Sequence, residues 1–96
     1  MKNQANLTEK EVLKVLETQP SLVQIKGNRN EISLSYQNLC VAFPVREHIY
    51  TRWVCSLADA QVLSSNQTLE VSPAMIQALA QAAESKKHSS FDLKFQ

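Results

Sequence analysis

The chain has 96 residues, 44% of them apolar, which is enough for one modest core and too short for two, so a single globular domain spanning 1–96 is expected. Ten basic against nine acidic residues leave a net charge of +1. That balance argues against a dedicated nucleic-acid binder, whose affinity rests on phosphate contacts, and against a polybasic membrane anchor.

The N-terminal "MKNQANLTEKE" carries no apolar run behind its lysine and so does not read as a signal peptide, and no stretch approaches the roughly 20 apolar residues of a membrane span. A cytoplasmic setting is expected, without membrane contact. The first element follows at once. In "LTEKEVLKVLETQP", Thr8 and Glu11 have the spacing of a capping box, and Leu7 and Val12 that of a hydrophobic staple. Val12, Leu13, Val15 and Leu16 make an apolar helical stripe, and Pro20 ends the helix.

"SLVQIKGNRNEISLSYQ" holds two short β-rich runs around Gly27–Asn30, residues suited to the left-handed backbone of a turn. Ile32, Leu34 and Tyr36 alternate with Ser33, Ser35 and Gln37, the pattern of a half-buried hairpin strand. "LCVAFPV" is apolar without alternation and reads as a central strand, with Pro44 near its end or on an edge because proline cannot donate to a ladder. A further strand is expected over His48–Leu57. Read as one strand, it points Ile49, Thr51, Trp53, Cys55 and Leu57 to the core and His48, Tyr50, Arg52, Val54 and Ser56 to water.

"ADAQVLSSNQTLEV" fits a short helix, a strand pair or a loop, with a turn at Ser64–Gln67. "SPAMIQALAQAAESKKH" is a second helix with Ser72 as cap and Pro73 in its first turn. Met75, Ile76, Leu79, Ala82 and Ala83 form its buried stripe, and Ala74, Ala78 and Ala82 would let it lie close on a sheet. Lys86, Lys87 and His88 suit the negative end of the helix dipole. "FDLKF" alternates as a terminal strand. The expected fold is α+β: an antiparallel sheet of four to five strands with two helices, in the order helix, strands, helix, strand. At the level of architecture this layout resembles small bacterial adaptor and secretion-chaperone domains, in which a sheet presents a groove to a partner.

Enzyme motifs are sparse. One glycine cannot build a phosphate-binding loop, and the spacings of Cys40, Cys55, His48 and His88 match no close metal-ligand pair, so neither cofactor nor metal is expected. Nothing sets a histidine beside a thiol with a third orienting group, and Glu47 and Asp59 carry no sign of acting as a carboxylate pair. If "LCVAFPV" and "HIYTRWVCSL" form a hairpin turning at Glu47–His48, Cys40 and Cys55 face each other across it, which opens a redox reading. Otherwise both are small buried hydrophobes.

The densest chemistry is "PVREHIYTRW". On one strand face Arg46, His48, Tyr50 and Arg52 would form a row of cationic and aromatic groups about 7 Å apart. Arginine and tyrosine are enriched at protein interfaces. The same row could stack bases and contact phosphates, and it could equally be the wet face of a sheet. The expected function is a non-enzymatic protein-interaction module of adaptor, chaperone-like or inhibitor type, binding through that sheet face. The alternatives are a single-stranded nucleic-acid binder using the same row, and a redox-sensitive protein using Cys40 and Cys55. Phe91, Leu93 and Phe95 form a strand that a homodimer could exchange or pair at its edge.

Overall fold

The computed structural model of the chain describes residues 8–64, 71–86 and 92–96. Leu7, Asn66, Gln67, Lys87, His88 and Phe91, to which the sequence assigns a staple, a turn, a helix end and a strand position, lie outside them.

Helix α1 (Glu9–Thr18) starts on the expected capping box: the Thr8 hydroxyl accepts from the Glu11 N–H (3.2 Å), and the Thr8 N–H donates to the Glu11 carboxylate (3.0 Å). It ends at Gln19, and Pro20–Leu22 add a single 3₁₀ turn that the expected element order lacked. β1 (Gln24–Gly27) and β2 (Glu31–Tyr36) then form the expected hairpin. Gly27 holds φ +150°, and a Cβ there would collide with the Glu31 carbonyl oxygen. Asn28 Oδ1 accepts from the N–H groups of Asn30 (2.8 Å) and Glu31 (3.1 Å), closing the turn.

β3 (Leu39–Ile49) is the longest strand and runs well past Pro44. One edge pairs with β2, from Glu31↔Pro44 to Tyr36↔Leu39. Its other edge carries two strands in succession: β4 (Arg52–Cys55) opposite Val45–Ile49, then β5 (Gln61–Ser64) opposite Cys40–Ala42. The break between them falls at Pro44. Its carbonyl accepts from the Ser56 N–H (2.9 Å), but it has no N–H to return, and the chain leaves the ladder over 57–60 before rejoining at Gln61. Within that excursion the buried Ser56 hydroxyl donates to Asp59 Oδ2 (3.0 Å) and accepts from the Asp59 N–H (3.2 Å).

Helix α2 (Pro73–Ser85) is capped by Ser72, whose hydroxyl accepts from the Met75 N–H. β6 (Asp92–Phe95) lies along the outer edge of β4 and runs parallel to it, with Trp53↔Leu93 and Cys55↔Phe95 in register. The sheet is therefore mixed, not purely antiparallel, and among the described residues it has six strands in the order β1-β2-β3-β4-β6, with β5 beside β3. Because β6 arrives from α2 on the helix side of the sheet, its direction is set by that crossover rather than by a hairpin turn.

Both helices cover one sheet face. Val12 and Leu16 of α1 and Met75, Leu79, Ala82 and Ala83 of α2 bury against Ile32, Leu34, Val41, Phe43, Cys55 and Leu93. Ile76 is half-buried beside them. The alanine ridge expected against the sheet is split: Ala82 is buried, whereas Ala78 is half-buried and Ala74 exposed. The sheet's opposite face carries Gln24, Ser33, Ser35 and Cys40, as the two-residue period requires.

Candidate functional site

The stretch from Pro44 to Trp53 is not one strand. Ile49 pairs with Arg52, so the chain reverses at Tyr50–Thr51 and the expected strand His48–Leu57 is the end of β3 folded back on β4. Tyr50 takes φ +56°, a left-handed backbone usual for glycine and rare for a bulky residue. No glycine, proline or asparagine marks the turn, and the sequence pattern therefore reads straight through it.

This dismantles the row. Arg46 sits where the β3–β4 register shifts between Val45 and Glu47, a bulge. His48 pairs with Trp53, and the next pair is Ile49 with Arg52, so His48 and Arg52 point to opposite faces. Tyr50 belongs to neither face and stands at the apex, 98% exposed. Ile49, assigned to the core by strand alternation, is exposed beside it.

What the fold assembles instead is a hairpin tip. The His48 and Trp53 rings pack edge to face, with centroids 4.6 Å apart and planes at 77°. His48 Nε2 lies 2.9 Å from the Arg29 carbonyl oxygen, which can only accept, so that nitrogen carries the proton. The bond ties the tip to the β1–β2 turn and brings Arg29 to the same end of the sheet. On the face away from the helices, Arg52 is in register with Asp92, and Glu47, Val54 and Lys94 follow one another across β3, β4 and β6. Val54 is buried between those two charged neighbours. Arginines at this end thus alternate with carboxylates.

The cysteines do not face each other. Cys55 is opposite Val45, whereas Cys40 is opposite Ser35 on β2 and Ser64 on β5. They are five positions apart along β3, about 16 Å, and on opposite faces, so this fold does not bring them within bonding distance. The expected pairing assumed a turn at Glu47–His48, three residues too early. Both thiols are free. Burial pushes the Cys55 thiol up to about 11, the opposite of what a nucleophile needs, and His48 is engaged with Trp53 and Arg29 instead of with sulfur.

Leu93 is buried and the Phe95 ring meets Phe43 edge-on at 4.9 Å, so β6 docks within its own chain. The Phe95 N–H, on the outer edge of β6, donates to the Glu84 carboxylate (2.6 Å), which partly closes that edge to another strand. Among the described residues no three His, Cys, Asp or Glu side chains gather as a metal site, and no helix is long and apolar enough to cross a membrane. Compared with protein-family models, with curated proteins and with solved structures, the chain finds no match.

Proposed function

We propose that this protein is a small non-enzymatic interaction module, of adaptor, chaperone-like or inhibitor type, that binds a partner protein through the tip of the β3–β4 hairpin and not along an extended sheet face. The observation that carries this reading is Tyr50. An aromatic side chain almost wholly in water sits on a left-handed backbone, an arrangement that costs on the order of 1–3 kcal/mol and returns no packing among the described residues. Exposed Ile49, half-buried Trp53 and flanking Arg52 add residue types that anchor protein interfaces. The tip is also held in place, by the His48–Trp53 contact and the Arg29 carbonyl, so little order has to be gained on binding.

The nucleic-acid reading uses the same residues and fares worse on charge. Glu47 and Asp92 lie among Arg46, Arg52 and Lys94 and would oppose a phosphate backbone. Capture from native lysate on immobilised protein, with and without nuclease, discriminates the two. The expected result is a protein that survives nuclease and is lost from a Tyr50→Ala, Arg52→Ala variant. Recovery of nucleic acid with a steep salt dependence would overturn the proposal in favour of a single-strand binder.

A further inference from the structure

We draw no further inference here: the strongest candidate, the surface patch of exposed Val62 and Leu63 on β5 with the open apolar hollow lined by Leu57, Ala60, Val71 and Ile76, carries nothing because nothing in the structure shows what covers it.

Discussion

β3 ends in a two-residue turn on either side, and the two turns carry a positive φ at the same position. Tyr36↔Leu39 and Ile49↔Arg52 close the loops Gln37–Asn38 and Tyr50–Thr51, and in each the first residue alone has positive φ, +54° and +56°. That sign pattern is the one a type II′ turn needs to match the twist of a hairpin. The side chains differ completely. At the first turn the flanking Tyr36 and Leu39 are buried, and the Gln37 amide reaches the Tyr36 hydroxyl (3.4 Å). At the second, Ile49, Tyr50 and Arg52 all face water. A reversing chain asks for a residue that tolerates positive φ; it does not ask for an aromatic ring in solvent. The first turn shows what folding alone requires, and the second carries more than that.

If stability resides in the strand between the turns, Phe43→Ala has the largest effect. It removes a fully buried ring in contact with Phe95 and should cost about 3–5 kcal/mol in urea unfolding. A loss below about 1 kcal/mol would move the centre of the core elsewhere.

The border between core and tip runs through β4, where buried Cys55 lies two residues past half-buried Trp53. The thiol ionises at 9.0 in an exposed setting and at about 11 when folded, so the unfolded chain releases its proton first as pH rises. Its contribution to stability is complete below pH 9 and is lost as pH climbs through about 11. Wild type and Cys55→Ala should therefore diverge in unfolding free energy across that window, with the wild type falling more steeply. Parallel curves would mean the thiol is not shielded.

The smallest effects separate the turns themselves. Gln37→Gly and Tyr50→Gly should each raise stability by about 0.5–1 kcal/mol, because relief of positive φ exceeds the added entropy of an unfolded glycine. The two variants should match in thermal unfolding and differ in partner capture, which only Tyr50→Gly abolishes. Destabilisation by Tyr50→Gly would show that the ring packs on the chain, and the contrast between the turns would collapse.

Legibility in the sequence followed the range of the forces involved. Both helices announce themselves through local chemistry, Thr8 with Glu11 and Ser72 with Pro73, and the first hairpin through Gly27 and Asn28. The turn of the β3–β4 hairpin is invisible because its first residue is a tyrosine held in a glycine-like conformation, and alternation carried through it assigned Ile49 to the core. The same error produced the row of Arg46, His48, Tyr50 and Arg52 and the facing cysteines. The direction of β6 is a long-range matter: Leu93 and Phe95 alternate identically in a parallel or an antiparallel pair. The split of β4 from β5 was half legible, since Pro44 announces a missing donor without saying which edge lacks it.

The central claim, contact at a tip and not along a sheet face, is tested most directly by photo-crosslinking in living cells. A photoreactive phenylalanine analogue would replace Tyr50 at the apex in one strain and Ser35, on the sheet face away from the helices, in another. The account predicts a discrete protein adduct from position 50 and none from position 35. An adduct from position 35 with none from position 50 would contradict it and return the binding surface to the open face of the sheet.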